Sequence, residues 1–198
     1  MELKQIIRDR RSYYSLSPKS PITNDAIKSL IDTAILNVPS AFNSQSARMI
    51  LLLNEHHVRL WDIVKDTLQA ILPAEAFNDS KGKIDNCFRS GYGTVLFFED
   101  QRVVKGLQEQ FPLYQDNFPV WSQHSSAMHQ YAVWLLLEEA GFGATLQHYN
   151  PLINSAVAQE WKIDSEWKLV AQMPFGVPAQ QPDQKVFSPL DNRRLFFE

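Results

Sequence analysis

The chain has little cysteine, no long hydrophobic run and no excess of basic charge. Its single cysteine, Cys87, cannot form a disulfide within the chain or supply the several sulfur ligands of a zinc or iron–sulfur site. The longest apolar runs, such as residues 49–53 and 133–137, fall far short of the roughly 20 residues that a membrane-spanning helix needs. Residues 1–5 also lack the apolar stretch of a signal peptide. We therefore expect a cytoplasmic protein without a membrane partner.

The charge balance argues against a nucleic-acid partner. Lysine and arginine total 19 and aspartate and glutamate total 22, which gives a net charge of −3. No basic stripe is available to follow a phosphate backbone. Glycine-rich phosphate loops, the nucleophile elbow of hydrolases and zinc-protease motifs are all missing from the sequence. The length of 198 residues and the hydrophobic fraction of 44% predict one globular domain over residues 1–198.

Hydrophobic periodicity predicts helices and strands in alternation without a strict β–α–β rhythm, and therefore an α+β fold. Five helices are predicted. The first has Leu3, Ile6 and Ile7 on one face, and the second is capped by Thr23 and stops before Pro39. The third runs from about Glu55 to Pro73, a weaker fourth covers residues 74–88, and a nearly all-apolar fifth covers residues 122–140. Buried strands are predicted at residues 48–53, 92–99 and 167–173. Residues 111–121 are predicted to form a loop, and Asn150-Pro151 to begin a short helix. Residues 174–198 are predicted to be extended and to wrap a neighbouring subunit.

Two polar segments are candidates for a binding site. Arg10-Arg11-Ser12 follows the first helix, where two guanidinium groups and a hydroxyl can converge on a phosphate. The segment of residues 39–45 places amides and hydroxyls between a helix and a strand, where they can line the edge of a heteroaromatic ring. Without a glycine-rich fingerprint, a phosphate clamp and a ring-edge loop point to flavin mononucleotide (FMN). The alternatives are solvated charges at a helix end and an ordinary polar turn.

The other titratable side chains suggest no second site. His56 and His57 begin the third predicted helix and are expected on the surface. His124 and His129 are five residues apart, so they do not share a helix face for a metal. Glu138 and Glu139 close the apolar helix and are expected in solvent.

Taken together, these segments resemble the nitroreductase family of FMN-dependent oxidoreductases, and within it the short branch associated with fatty acids and stress. The resemblance covers essentially the whole chain and is carried by six stretches: Arg10-Arg11-Ser12-Tyr13-Tyr14, Pro39-Ser40-Ala41-Phe42-Asn43-Ser44-Gln45-Ser46, Tyr92-Gly93-Thr94-Val95-Leu96-Phe97-Phe98-Glu99-Asp100, Phe111-Pro112-Leu113-Tyr114, Leu146-Gln147-His148-Tyr149-Asn150-Pro151 and Gln172-Met173-Pro174-Phe175-Gly176.

The resemblance implies an α+β sandwich whose central, mostly antiparallel sheet is flanked by helices, in an intertwined homodimer with FMN sites at the interface. It assigns the phosphate to Arg10, Arg11, Ser12 and Tyr14, and the ring to Ser40, Asn43 and Gln45 of the other subunit. Leu146 and Gln147 would lie beside the reactive edge, where many relatives carry a Glu-Gly pair. Relatives also carry a Lys and an Arg two residues apart near the C-terminus. In this chain the residue two positions after Lys185 is Phe187 and not an arginine, so Arg193 or Arg194 is expected to supply the second positive charge.

The implied activity is a ping-pong, two-electron reduction of nitroaromatics or quinones by NAD(P)H, in an oxidative-stress response. A small aromatic oxidant would follow the nicotinamide into the same position. Two alternatives stay open for a flavoprotein: an enzyme whose acceptor is a lipid-derived or oxidised thiol compound, and a regulatory or storage protein that binds FMN but turns over slowly. A third is a scaffold without a cofactor.

Overall fold

The structure is a computed structural model that describes residues 2–198. Its helices are α1 (Leu3–Asp9), α2 (Asn24–Asn37), α3 (Asn54–Gln69), α4 (Ala74–Lys83), α5 (Gln101–Gln110), α6 (Phe118–Glu139) and α7 (Asn154–Trp161). Its strands are β1 (Leu16–Ser17), β2 (Ala47–Leu53), β3 (Gly93–Asp100), β4 (Gly143–Ala144) and β5 (Trp167–Pro178). Across residues 2–198, no helix is long and apolar enough to cross a membrane.

The strands form one sheet in the order β1-β5-β3-β2, and β4 also pairs with β5. Each pairing between these strands is antiparallel. Strand β3 lies between β5 and β2 and is buried along its whole length, which explains its unbroken apolar run. The predicted α+β fold with a central antiparallel sheet is therefore confirmed.

Helices pack on both faces of the sheet and create two hydrophobic cores. Successive side chains of a strand point to opposite faces, so β3 contributes to both cores. Leu96 and Phe98 join the core under α3, which also contains Trp61. Val95 and Phe97 join the other core, formed with α2 and α6. The buried apolar residues of α2 and α3 recur at helical spacing, as predicted. Ile35 and Ile71, which the same spacing places inward, are exposed, so the predicted stripes are wrong at their ends.

Helix α6 begins four residues earlier than its hydrophobic pattern predicts. Pro119 lies in its first turn, where the missing backbone N–H is not needed. The loop prediction for residues 111–121 is therefore wrong from Phe118 onward. Before it, Pro112–Tyr114 forms a short 3-10 turn.

Two other boundaries differ from prediction, whereas the predicted extent of the fourth helix, residues 74–88, is confirmed. The Asn150-Pro151 peptide bond is cis, and α7 starts only at Asn154, so the predicted helix start is wrong. Strand β5 runs on to Pro178 because its later residues pair with β1 and β4. The weak fourth helix continues as a π-helix over Ile84–Phe88. Beyond Pro178 the chain has a single short 3-10 turn, Leu190–Asn192, in the part that the structure describes. The wrapping of a second subunit by this segment stays a prediction.

Candidate functional site

The Arg10-Arg11-Ser12 segment lines a cleft of about 820 Å³. Helix α1 ends at Asp9, and Arg10 leaves it with ψ 122°. Ser12 then pairs in parallel with Ala144 of β4, and the Tyr13 backbone N–H donates to the Ala144 carbonyl at 3.0 Å. These bonds fix the backbone from which the cationic side chains extend. The cleft is lined by Arg10, Arg11, Ser12, Tyr14, Ser15, Cys87, Lys185 and residues 180–183, 186 and 187.

Three cations meet in this cleft without a carboxylate partner. Within residues 2–198, none of Arg10, Arg11 and Lys185 forms a salt bridge. Arg11 donates to the Asp183 carbonyl and Lys185 to the Arg8 carbonyl, so the segment after β5 folds back over the end of α1. Burial, and then the charges of Arg10 and Arg11, lower the pKa of Lys185. A concentration of like charge of this kind is suited to binding an anion.

The side chain of Arg10 packs against helix α6. The guanidinium carbon of Arg10 lies 4.3 Å from the centroid of the Trp134 ring, a cation–π contact. Glu138, four residues further along the same helix face, is partly buried, so the prediction that it is solvated is wrong. Burial raises the pKa of Glu138, and the nearby charge of Arg10 opposes that increase. In the described part of the chain, buried Arg10 Nε and Glu138 Oε2 have no hydrogen-bond partner. The roles of Trp134 and Glu138 are not evident from the sequence, because no local pattern links α6 to α1.

The loop of residues 39–45, the ring-edge loop, has a strained backbone. Phe42, Asn43 and Gln45 have φ values of 56°, 50° and 49°, in the left-handed region that side chains other than glycine rarely adopt. The Ser40 hydroxyl accepts the Gln45 N–H at 3.0 Å, and Arg48 donates to the Gln45 carbonyl at 2.8 Å. Strained residues cluster at catalytic and ligand-binding segments, so this loop is a candidate for one.

An aromatic cluster surrounds Phe42. Its ring is stacked on Trp121 at a centroid distance of 5.9 Å and an interplanar angle of 18°, and it lies 4.9 to 6.1 Å from Phe111, Tyr114 and Phe118. A second cavity of about 430 Å³ opens beside this cluster, lined by Ala41, Phe42, Trp121, His124, Ser125 and Met128. Its walls are mostly apolar and suit a flat hydrophobic ligand.

Within one chain, the loop and the cationic cleft are far apart. Arg10 contacts α6 at Trp134 and Phe42 contacts it at Trp121. Thirteen residues of helix correspond to about 20 Å. Consistent with this, Ser40, Asn43 and Gln45 do not line the cleft that contains Arg10 and Ser12.

Leu146 and Gln147 follow β4 and are fixed by β5. Gln147 and Gln172 exchange backbone hydrogen bonds of 2.7 and 2.9 Å. The Gln172 side chain, 0% exposed, accepts the Tyr149 N–H at 2.8 Å and donates to Asn150 at 3.2 Å. Gln172 therefore shapes this loop, which its sequence context did not indicate. Of the two predicted C-terminal cations, Lys185 lines the cleft, whereas Arg193 is exposed and lies outside it.

Comparison with known proteins agrees with this architecture. The model of the nitroreductase family matches residues 7–177. The nitroreductase FRM2 of Saccharomyces cerevisiae is 36% identical over 183 residues, covering 91% of this chain and 90% of that protein. The nitroreductase CinD of Lactococcus lactis, solved with nicotinic acid, is 40% identical with a TM-score of 0.92 and full coverage of both chains. CinD has also been solved with chloramphenicol and with 4-nitrophenol. A nitroreductase from Desulfitobacterium hafniense with bound FMN shares the fold at 12% identity, with a TM-score of 0.73 and full coverage of both chains.

The chain therefore belongs to the nitroreductase family. It is an oxidoreductase of that type, as its sequence motifs predict.

Proposed function

We propose that the protein binds FMN and uses NAD(P)H to reduce small nitroaromatic compounds or quinones by two electrons. The observation that carries the proposal is the cleft lined by three cations, none of which forms a salt bridge within residues 2–198. Its volume of about 820 Å³ lies within the range of small-molecule sites. When bound, FMN supplies the redox chemistry, since it can take up a hydride and pass on two electrons.

The residues present fit the phosphate of FMN. Arg10 and Arg11 offer planar guanidinium groups, Ser12 a hydroxyl and Lys185 an ammonium group, which together match the oxygens of a phosphate. The Nε of Arg10 is a buried donor that lacks a partner within residues 2–198 and would gain one from a bound anion. Tyr14 lines the same cleft with an exposed ring. Lys185 fits the role of C-terminal cation better than Arg193, because only Lys185 faces the cleft.

The flavin ring is proposed to lie between two subunits. Ala144, paired with Ser12, is two residues before Leu146, so the phosphate site and the Leu146–Gln147 backbone are separated by only about 7 Å of extended chain. Ser40, Asn43 and Gln45 of the same chain are too distant to join them. A homodimer in which the partner's loop completes the site resolves this separation. The exposed apolar residues after Pro178, among them Val186, Phe187 and Phe197, provide surface for such an interface.

The aromatic cavity beside Phe42 is proposed to form the wall against which the reductant and the oxidant bind in turn. Trp121 and Phe42 present flat rings to a planar ligand. The ligands of CinD support ligands of these two classes: nicotinic acid shares the pyridine ring of the nicotinamide, and 4-nitrophenol and chloramphenicol carry a nitrobenzene ring. Alternating occupancy of one position gives ping-pong kinetics and needs no side-chain nucleophile.

The first test is the visible absorbance of the purified, dialysed protein before and after anaerobic NADH. Two flavin bands that bleach are expected. A colourless protein that takes up no added FMN would contradict the proposal. Steady-state NADH oxidation with 4-nitrophenol or a quinone then separates an enzyme from a storage protein, for which the rate would not exceed that of free FMN. Light scattering tests the dimer, since an FMN-bound monomer of 22.8 kDa would rule out an interface site.

The phosphate assignment predicts a graded loss of FMN. Arg10→Ala removes the stacked guanidinium group and should weaken FMN binding by about tenfold or more, whereas Arg10→Lys should weaken it less. Lys185→Ala should also weaken binding, and Arg193→Ala should leave it unchanged because Arg193 does not face the cleft. Flavin fluorescence titration measures each dissociation constant, with the surface variant Arg59→Ala as the control. Full retention of FMN by Arg10→Ala would remove Arg10 from the site.

A further inference from the structure

Glu99 is a buried carboxyl group with no role in the proposed flavin chemistry so far. It lies near the end of β3, is 0% exposed, and points to the same sheet face as Val95 and Phe97, toward α6. Its Oε2 is 2.5 Å from the Ser46 hydroxyl, and across residues 2–198 its Oε1 has no hydrogen-bond partner. A buried carboxyl group held by one hydroxyl calls for an explanation.

In the described part of the chain, no cation pairs with Glu99. Arg48 of β2 donates instead to Asp100 at 3.0 Å and to the Gln45 and Ala47 carbonyls. Lys168 stands opposite Glu99 on β5 but is exposed, and within residues 2–198 it makes no ion pair with it. On the neighbouring helix α5, Arg102 is bound to Asp100 and Asp164, Lys105 is bound to Glu166, and Glu109 is exposed. On α6, His124 is exposed, and burial lowers the pKa of His129.

The protonated form of Glu99 therefore suits this position. Burial raises the pKa of Glu99 to about 7, and the neighbouring Asp100 adds to the increase, while Ser46 and Arg48 oppose it. Below that pH the carboxyl group and the hydroxyl can share a hydrogen bond without a buried charge. Above it, an uncompensated negative charge lies in the core, which destabilises the local structure.

The bond to Ser46 acts on the ring-edge loop. The Ser46 carbonyl accepts the Asp100 N–H at 2.9 Å, and Arg48 holds the Gln45 carbonyl. Together with the bond from Glu99, these contacts fix the end of a segment in which Phe42, Asn43 and Gln45 are strained. Strained backbone persists only where its surroundings enforce it.

We propose that Glu99 is a positioning residue: through Ser46 it holds residues 40–46 in their strained shape and thereby presents Asn43 and Gln45 to the flavin ring. The part concerning the ring rests on the proposed FMN site. The part concerning the loop does not. FMN affinity should therefore fall above about pH 7, as the carboxyl group ionises.

Amide hydrogen exchange of the whole protein tests the loop. Residues 40–46 should exchange about tenfold faster in Ser46→Ala and Glu99→Ala than in the wild type at about pH 6. Glu99→Gln, which keeps a hydrogen-bonding group of the same size, should restore slow exchange. Glu160→Gln makes the same chemical change at a surface ion pair with Arg59 and is the matched control. If Glu99→Ala does not fold, Ser46→Ala and Glu99→Gln still decide the question.

The dissociation constant of FMN, measured from about pH 6 to about pH 8.5, tests the link to the ring. The FMN dissociation constant of the wild type, divided by that of Glu99→Gln, should rise about tenfold across this pH range. The reason is that only the wild type has a carboxyl group at position 99 that loses a proton. The phosphate of free FMN titrates equally for both proteins and cancels in the ratio. A constant ratio would overturn the link to the ring, and unchanged exchange in Ser46→Ala would overturn the positioning role. If the wild type binds no FMN, the proposed function fails, and the exchange experiment still decides whether Glu99 holds the loop.

Discussion

Acidification should destabilise the protein through His57, a residue expected on the surface from its sequence but found in the core. His57 lies in α3, is 2% exposed, and has both ring nitrogens in hydrogen bonds. Nε2 is 3.2 Å from the Arg89 carbonyl, which can only accept, so Nε2 carries the proton. Nδ1 is 2.9 Å from the Thr94 hydroxyl, whose oxygen also accepts the Trp61 indole N–H at 3.1 Å. The network is satisfied when His57 is neutral.

The size of this loss of stability follows from the pKa of His57. Burial, assisted by the charge of Arg89, lowers the pKa of His57 from 6.5 to about 4. As the pH falls below 6.5, the unfolded chain binds the proton first. The free energy of unfolding therefore decreases until the pH reaches about 4, by about 3.4 kcal/mol in total. Glu99 acts in the opposite direction. Because its native pKa of about 7 is above its ordinary value of 4.5, stability increases as the pH falls from 7 to 4.5. The two contributions nearly cancel in the wild type, so the effect of His57 must be measured as a difference.

The assay is urea unfolding of the wild type and His57→Gln, followed by tryptophan fluorescence from about pH 7.5 to about pH 4. The wild type should be the more stable at neutral pH, and its advantage over the variant should shrink by about 3 kcal/mol on acidification. His56→Gln is the matched control, because His56 is the adjacent residue on the same helix and is exposed. If the wild type's advantage over His56→Gln shrank by as much, burial of His57 would not be the cause. If the wild-type and His57→Gln curves run parallel over this range, the argument from burial is refuted.

Substitutions at Trp61, Gly176 and Gly106 test the packing. Trp61→Ala should lower the free energy of unfolding by about 3–5 kcal/mol, since the side chain is fully buried against Phe88 at a ring distance of 5.0 Å. Trp61→Phe should lower the free energy of unfolding by less than half as much. If the two variants lowered it equally, the loss would not come from packing of the ring in the core. Gly176→Ala should destabilise the β1–β5 pairing, because a Cβ there would collide with the Ser17 carbonyl and lie 3.1 Å from the Tyr92 nitrogen. Gly106→Ala in α5 meets nothing within 4 Å and should stabilise the protein by about 0.5–1 kcal/mol. Thermal unfolding measures the change in stability of the two glycine variants. If both changes had the same sign, the steric argument would be contradicted.

The sequence determined those features that depend on neighbouring residues. The apolar spacing of α2 and the Thr23 cap, whose hydroxyl accepts the Ala26 N–H at 3.2 Å, place that helix within a residue of its prediction. The continuous apolar run at β3 predicts a strand covered on both faces. Arg10, Arg11 and Ser12 are close in sequence, so their convergence needs only the end of one short helix. The family resemblance likewise rests on local stretches in a fixed order.

The tertiary structure alone decided which polar groups are buried and which distant residues meet. His57 is buried because Thr94 and Arg89, more than 30 positions away, supply its hydrogen bonds. Glu99 loses solvent because α6 covers the end of β3, and Gln172 acquires its role because β5 lies beside the Leu146–Gln147 backbone. Lys185 reaches the cationic cleft, and Arg193 does not, because the chain after β5 folds back onto α1. In each case the free energy comes from contacts between separate elements, which local propensity and periodicity do not encode.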